Sequence, residues 1–451
     1  MDRQQQAAEA RRVAADLAAQ DVRNIALTWV DNAGVTRVKA VPTDRLERAA
    51  EWGVGMSPVF DVFCVDDSIT TSRYAGGPVG DLRLHPDLSR VTALAAQPGW
   101  AWAPVDRYTQ EGAPHPGCQR LFARAATERA RDAGLELRMA YEFEWFAGTA
   151  GTSDAAPSTT GPAYGMTRLV ELSGYADAVL AALAAQRVPV EQFHPEYAAG
   201  QWELSVAPAD PVTAADRAVL VRQTIRAVSA TFGLQVSFAP VVVAGQVGNG
   251  GHLHLSAWTG EQNLFAGGGG PYGVTAEGES ILAALLHRLP ALLAIGAPSP
   301  ASYLRLVPRH WAGPYQCWGR ENREAGLRLV TGSVGERDTA ANAELKCFDG
   351  AANPYLLAGA VTTVAAAARD AGLTLPPEVT VDPAGLPEAD QPPRLPTSLP
   401  GAVAALRADD ILPPAMGEVL LEAFCAVRDA EQALYADASP ADVAAATRWR
   451  Y

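Results

Sequence analysis

Four segments of the chain alternate ligand-type residues with apolar ones. They are Tyr141-Glu142-Phe143-Glu144-Trp145-Phe146, His194-Pro195-Glu196 with Gln201-Trp202-Glu203-Leu204, Gly251-His252-Leu253-His254-Leu255-Ser256, and Ala343-Glu344-Leu345-Lys346-Cys347-Phe348. On a β-strand, residues two apart point to the same face, so Glu142 with Glu144 and His252 with His254 would project together while their apolar neighbours pack behind. Acids aimed into one cavity repel and desolvate one another, at a cost of roughly several kcal/mol per buried ion unless cations neutralise them. Bound metal is the simplest relief. Carboxylates with about one imidazole make a hard, oxygen-rich donor set that suits Mg²⁺ or Mn²⁺ better than zinc or copper. A single Glu-x-Glu pair would read as a solvated strand face; a whole series of such segments points to a site.

A second constellation is basic. In Ser302-Tyr303-Leu304-Arg305-Leu306-Val307-Pro308 and in the stretch from Trp318 to Arg328, which contains Arg320, Arg323 and Arg328, arginines recur within an otherwise acidic protein. Guanidinium groups bind carboxylate and phosphate oxygens bidentately and stabilise charge on a transferring phosphoryl group. The bland alternative is a surface helix on which these arginines pair with Glu321 or Glu324.

The elements that must position these residues follow from periodicity. Residues 7 to 20 have helical spacing, Ile25 to Val30 reads as a strand, Asp31-Asn32-Ala33-Gly34 as a turn, and Val35 to Val41 as the hairpin partner. Composition turns to Pro and Gly around residues 112–117, which places a domain boundary near 113 and predicts units 1–113 and 114–451. Beyond it, helices are expected over 119–133, 175–185, 214–232 and 356–371, with short strands between them. Residues 372–401 read as a Pro-rich acidic surface loop and 403–451 as terminal helices. The class is α+β.

The chain has 451 residues, 48% of them apolar, and a formal charge of −14. That charge disfavours nucleic acid and anionic membranes as partners, since either needs a basic patch. Five widely spaced cysteines without a C-x-x-C pattern argue against a disulfide framework or a zinc knuckle. With no apolar signal region at its start and no run of 18 apolar residues, the chain is expected to be soluble and cytoplasmic.

The motif series resembles glutamine synthetase, in order and over nearly the whole chain: Glu142-Phe143-Glu144, Glu196 to Glu203 with Gly200-Gln201, Gly250-Gly251-His252-Leu253-His254-Leu255-Ser256, Ser302 to Pro308, Asn322-Arg323 to Arg328, and Glu344 followed by Asn353-Pro354-Tyr355. The resemblance implies a β-grasp-like N-terminal domain and a catalytic domain with a curved antiparallel sheet. It also implies a homo-oligomer, commonly a dodecamer of two hexameric rings, with active sites between subunits. It assigns Glu144, Glu196 and Glu203 to one metal ion and Glu142, His252 and Glu344 to another, of two or three Mg²⁺ or Mn²⁺. By the same resemblance Arg323 and Arg328 handle phosphate, Arg305 binds the amino-acid carboxylate, Gly248 and Lys346 lie by the amino acid, and Ser256, His254 and Asn342 lie by ATP. The implied reaction phosphorylates the γ-carboxylate of glutamate, and an amine then displaces phosphate.

Departures from the family pattern concern the substrate. Ammonia-using members follow Arg-Leu-Val-Pro with Gly-Tyr-Glu-Ala-Pro, whereas this chain has Arg309-His310-Trp311-Ala312-Gly313-Pro314, so that Trp311 replaces the glutamate that helps to bind ammonium. An indole cannot take a proton, but it can pack an alkyl amine or face a cation at about 0.5 to 2 kcal/mol. A larger organic amine is therefore expected; Trp311 as core packing, in an ammonia-dependent enzyme, is the alternative. Lys346, Asn342 and Val247 also replace usual family residues. The aspartate that deprotonates the amine across the interface would be Asp67, with Asp61 and Asp66 as alternatives. No tyrosine occurs between Tyr355 and Tyr435, so control by tyrosine adenylylation is not expected. The reading from another class is a catalytically silent, structural or regulatory ring, which would tolerate loss of metal ligands.

Overall fold

The computed structural model describes residues 3–151, 155–270 and 272–451. The N-terminal part is a six-stranded sheet built from β1 (Asn24–Val30), β2 (Thr36–Pro42), β3 (Val54–Met56), β4 (Leu82–Pro86), β5 (Thr92–Ala93) and β6 (Trp100–Thr109), in the order β2-β1-β6-β4-β3 with β5 on β6. The predicted hairpin forms with Ile25 opposite Val41. β1 runs parallel to β6, and the helix Arg3–Ala18 contributes Ala10 and Leu17 to the core shared with Ile25 and Leu27. This is the expected mixed, β-grasp-like arrangement.

The C-terminal part carries a nine-stranded sheet formed by β7 (Glu136–Thr149), β8 (Val190–Pro195), β9 (Gln201–Val206), β10 (Leu234–Ser237), β11 (Leu253–Thr259), β12 (Gln262–Asn263), β13 (Tyr315–Arg320), β14 (Ala325–Val330) and β15 (Asn342–Leu345). Its order is β13-β14-β15-β11-β7-β9-β8, with β10 on β7 and β12 on β11. All these pairings are antiparallel except β13 with β14, which run parallel, a local exception to the antiparallel sheet expected. The surface-helix alternative for 318–328 does not hold. Leu327 and Leu329 are buried and alternate with Arg328, which is a period of two rather than 3.6.

β7 joins the two halves of the sheet, pairing with β11 over 136–141, with β9 over 142–146 and with β10 over 146–149. Tyr141, Phe143 and Trp145 are buried behind it, while Glu142 and Glu144 look to the other face. Helices Gln119–Asp132, Pro211–Thr231 and Pro354–Ala368 pack on one another in the core. The helix Ala276–Gly296 is long and apolar enough to cross a membrane, yet 78% of its apolar window is buried within the fold. It packs on Pro354–Ala368 and Leu399–Ala408 as a core helix. The Pro-rich stretch after 372 holds only short turns before the helix at Leu399, but it is laced to β13: Trp318 Nε1 donates to Pro376 O at 2.8 Å, and Val379 N to Trp318 O at 3.0 Å. It is a strap rather than a free loop.

The two parts meet closely at the β1–β2 turn, where Gly34 has φ +83° and a Cβ would lie 2.0 Å from Ala351 O. Gly34→Ala is expected to lower stability by at least about 2 kcal/mol, since a left-handed backbone and a clash act together. Chemical denaturation monitored by circular dichroism checks this.

Candidate active site

The sheet registers lay the chemistry-bearing residues in rows across one face. Glu144 stands opposite Glu203, and Glu203 opposite His194. In a second row His254 stands opposite Glu344, which stands opposite Arg328. Between them Glu142 N donates to His252 O at 3.0 Å, which continues the β7–β11 ladder to His252. Strand alternation thus gathers side chains far apart in sequence.

Two groups have donor atoms within 4.8 Å of one another: Glu142 with His252 and Glu344, and Glu142 with Glu144 and Glu203. Glu142 belongs to both. His252 Nδ1 donates to Glu142 Oε1 at 2.6 Å and lies 3.2 Å from Glu344 Oε1. Arg305 Nη2 donates to His252 Nε2 at 3.0 Å and to Lys346 O at 3.2 Å, which keeps the imidazole proton on Nδ1. Glu344 accepts from Lys346 Nζ at 2.9 Å and from Arg328 Nη1 at 3.1 Å, while Arg328 Nη2 reaches Glu321 at 2.8 Å. His254 points Nδ1 at Asn342 Oδ1, 2.9 Å away, and Nε2 at Glu142 Oε2, 3.6 Å away.

Charge is unevenly compensated across this face. Burial opposes ionisation of Glu344, but Lys346 and the two imidazoles hold its carboxyl well below the usual range. Burial of Glu142 is likewise outweighed by His252 and His254. At the other end burial, reinforced by Glu203, raises Glu144 despite His252. Glu196 is pushed up to about 7 by burial and by the charges of Glu144 and Glu203. That end carries an excess of negative charge, the condition a divalent cation relieves.

Glu196 stands outside both donor groups. Its oxygens accept from Tyr164 OH, at 3.1 Å, and from Tyr197 N. Arg168 binds the carbonyls of Glu196, Tyr197 and Ala198 and so fixes this loop. Sequence reasoning misses Tyr164 and Arg168: they lie in and after a Gly/Pro-rich stretch, and their only signal is a lone arginine in a short helical run. Gln201 Nε2 bridges Glu144 Oε2, Gly248 O and Asn249 Oδ1, each at 3.0 Å. Ser256 lies two residues beyond His254 on β11 and accepts from Trp258 Nε1 at 2.8 Å.

Other predicted residues lie elsewhere. Arg323 is exposed in the turn from β13 to β14. Asp67, half exposed with φ +70°, is held by Arg37 and by Arg450, each at 2.8 Å, and hydrogen bonding from Arg37 lowers its pKa. Within one chain it is a weak base. Asp61 is buried against Arg107 and His115, and Asp66 accepts from Ser68, so both have local structural partners. Trp311 is 56% exposed, so it is not core packing.

The face fits divalent cations and oxyanions. A Cβ at Gly250 would come 2.4 Å from His252 Nε2, 2.7 Å from Glu144 Oε1 and 2.9 Å from Arg305 Nη2, so any side chain there would fill the space among the ligands. Arg305 Nη1 and Arg328 Nε are buried donors without a protein acceptor, suited to a carboxylate or phosphate oxygen.

Comparison with known proteins agrees with this geometry. Residues 116–444 match the family model described as glutamine synthetase, catalytic domain, and residues 8–112 match that of the glutamine synthetase N-terminal domain. A γ-glutamylpolyamine synthetase, GlnA3, of Streptomyces coelicolor is 55% identical over 449 residues, covering 98% of this chain and 96% of the relative. A glutamate–methylamine ligase of Methyloversatilis universalis is 26% identical over 89% of this chain and 90% of its own length. The crystal structure of a novel glutamine synthase homolog superposes with a TM-score of 0.85 at 33% identity, covering 95% of this chain and 99% of the other.

Metal binding should depend on pH through Glu196. With its pKa raised from 4.5 to about 7, the carboxyl stabilises the metal-free fold below its unfolded pKa, and this contribution is lost as pH rises through about 7. A cation that takes the ionised carboxylate acts in the opposite sense. Mn²⁺ is therefore expected to raise the Tm more at about pH 8 than at about pH 6, with Glu196→Gln removing most of the difference. Gly250→Ala should leave the metal-free Tm within about 2 °C and abolish the Mn²⁺ shift. Differential scanning fluorimetry reads all three.

Proposed function

Because the chain belongs to the glutamine synthetase family, we propose that it is an ATP-dependent ligase that joins the γ-carboxylate of glutamate to an organic amine through γ-glutamyl phosphate. The observation that carries the choice of amine is Trp311, an exposed indole on the loop after Arg305-Leu306-Val307-Pro308, where an ammonia-using enzyme has a carboxylate. The 55% identity to a γ-glutamylpolyamine synthetase makes a polyamine the first candidate.

Enzymes of the family use ATP and divalent metal ions. In this reading Glu144, Glu196 and Glu203 hold one Mg²⁺ or Mn²⁺, and Glu142, His252 and Glu344 hold a second. When bound, the ions supply positive charge to the phosphate oxygens and the reacting carboxylate. The protein's own groups do the rest. Arg328 moves between Glu344 and the phosphoryl oxygens, with Arg323 on the adjoining turn as its partner. Arg305 gives its free Nη1 to the α-carboxylate of glutamate, beside Gly248, and its Nη2 fixes the orientation of the His252 ring. Lys346 faces the reacting carboxylate, while Ser256, His254 and Asn342 line the nucleotide side. Asp67 takes the proton of the amine in the site of a neighbouring subunit, for which it has to leave Arg37 and Arg450. That requires a ring, proposed as a dodecamer of two hexamers, of subunits divided at about residue 113. The enzyme is placed in the cytoplasm.

The test is to incubate the protein with ATP, Mg²⁺ and glutamate, and to offer ammonia, methylamine, ethanolamine, putrescine, spermidine and an arylamine separately. Phosphate release and the mass of the product are measured. Amide formation is expected with putrescine or spermidine, at a kcat/KM at least about a hundredfold above that for ammonia. Equal turnover with ammonia would make it an ordinary glutamine synthetase, and silence with every amine would favour a ring without catalysis.

A further inference from the structure

Glu324 is buried, 7% exposed, and its two oxygens are engaged by backbone donors: Oε2 accepts Arg309 N at 3.2 Å and Oε1 accepts Trp311 N at 2.7 Å. Both donors belong to residues in the left-handed region, Arg309 at φ +64° and Trp311 at φ +53°, and Gly313 at φ +64° follows. Side-chain-bearing residues persist in that region only where their surroundings hold them. The hold here is one carboxylate that binds both amides.

Glu324 is itself fixed. Asn322 Oδ1 accepts its N–H at 3.1 Å, and Asn322 Nδ2 donates to Val379 O at 2.8 Å and Val381 O at 3.2 Å on the strap. Arg309 reaches the same strap, donating to Asp382 at 3.4 Å and Ala384 O at 3.3 Å. At its far end the loop presses on the site: a Cβ on Gly313 would lie 2.9 Å from Lys346 Cβ, and Lys346 is the partner of Glu344. The loop is thus held by Glu324 and the strap at one end and packed against Lys346 at the other, with its indole half exposed.

We propose that Glu324 is a positioning residue that holds the loop from Arg309 to Gly313 in the pose that makes Trp311 a wall of the amine site, and so sets which amine is accepted without touching it. The class of substrate this wall selects is an aliphatic amine, whose methylenes pack on the indole face while its cationic end meets the ring electrostatically. The side chain of Glu324 bonds to the amides of Arg309 and Trp311 and not to the proposed metal ligands or to the side chains of Arg323 and Arg328, so its effect should appear chiefly in the amine term. The proposal rests on the organic-amine reading above and adds to it the residue that enforces it.

The experiment uses the full-length protein with the best amine of the panel and compares wild type, Glu324→Ala, Glu324→Gln, Trp311→Ala and the Glu324→Ala/Trp311→Ala pair. Glu324→Ala is expected to raise the KM for the amine about tenfold while kcat and the KM values for ATP and glutamate change less than about twofold. Glu324→Gln, with one carbonyl oxygen for two N–H groups, should fall between, and carries the same comparison should the alanine variant not fold. On the Trp311→Ala background, Glu324→Ala should add less than about twofold, because both act through the same indole. Equal rises in all three KM values, a fall in kcat with the amine KM unchanged, or additive effects in the double variant would overturn the proposal. If wild type forms no amide with any organic amine, the ligase reading falls as well. If wild type forms one and Glu324→Ala leaves its KM unchanged, only the role of Glu324 falls.

Discussion

The mutual repulsion of carboxylates gathered on one sheet face is the constraint around which the rest of this structure is arranged. Glu142, Glu144, Glu203 and Glu344 share a surface backed by a packed apolar layer, where water cannot screen them fully. Removing that many charges from solvent without relief would unfold or neutralise the site. The protein supplies part of the relief itself. Arg328 and Lys346 bracket Glu344, and Arg305 acts through His252 on the same group. Around Glu144, Glu196 and Glu203 the compensation is weaker: His194 pairs with Glu203 at 3.2 Å, His252 and Arg305 act on Glu144 only through space, and burial there works against ionisation. This asymmetry divides the face into an end largely compensated by side chains and an end that carries more uncompensated charge. A divalent cation is drawn to the less compensated end, because a group that is fully neutralised beforehand has little affinity left for a cation.

How much of this site is legible in the sequence depends on where each side chain is mounted. Glu142, Glu144, Glu203, His254 and Glu344 lie on strands, and a strand imposes a period of two that survives in the sequence as polar–apolar alternation. Their joint orientation can be read from that alternation alone. The hairpin of β1 and β2 and the helices Pro211–Thr231 and Pro354–Ala368 are legible for the same reason, to within a few residues at their ends. Tyr164, Arg168 and Glu324 act instead on loop segments, and Arg168 and Glu324 do so through carbonyl or N–H groups of the backbone, which carry no residue identity. No residue-type pattern marks such a contact. The parallel pairing of β13 with β14 is equally hidden, since alternation shows that a segment is a strand but not the direction of its neighbour.

The same distinction explains how the C-terminal region contributes. The loop of Val65 to Ser68 is tied to residues far along the chain: Val65 N donates to Glu431 at 2.8 Å, and Arg450 pairs with Asp67 at 2.8 Å. Arg428, fully buried, pairs with Glu431 at 3.1 Å and donates to Asn32 O at 2.9 Å. Terminal helices that read in the sequence as a generic finish therefore fix the position of an N-terminal loop. The charge on Asp67 is already shared between two arginines from opposite ends of the chain, so within one chain it is a weak base.

The carboxylate face and the Trp311 loop consequently rest on different kinds of structure. Glu142, Glu144, Glu203, Glu344 and Arg328 stand on strands whose neighbours on both sides hold them in register, so displacing one disturbs several others. Trp311 stands on a loop whose pose depends on a carboxylate, a strap and a few backbone bonds. The carboxylate face and the indole thus differ in mounting: the first is fixed by the sheet register, the second by a few loop contacts.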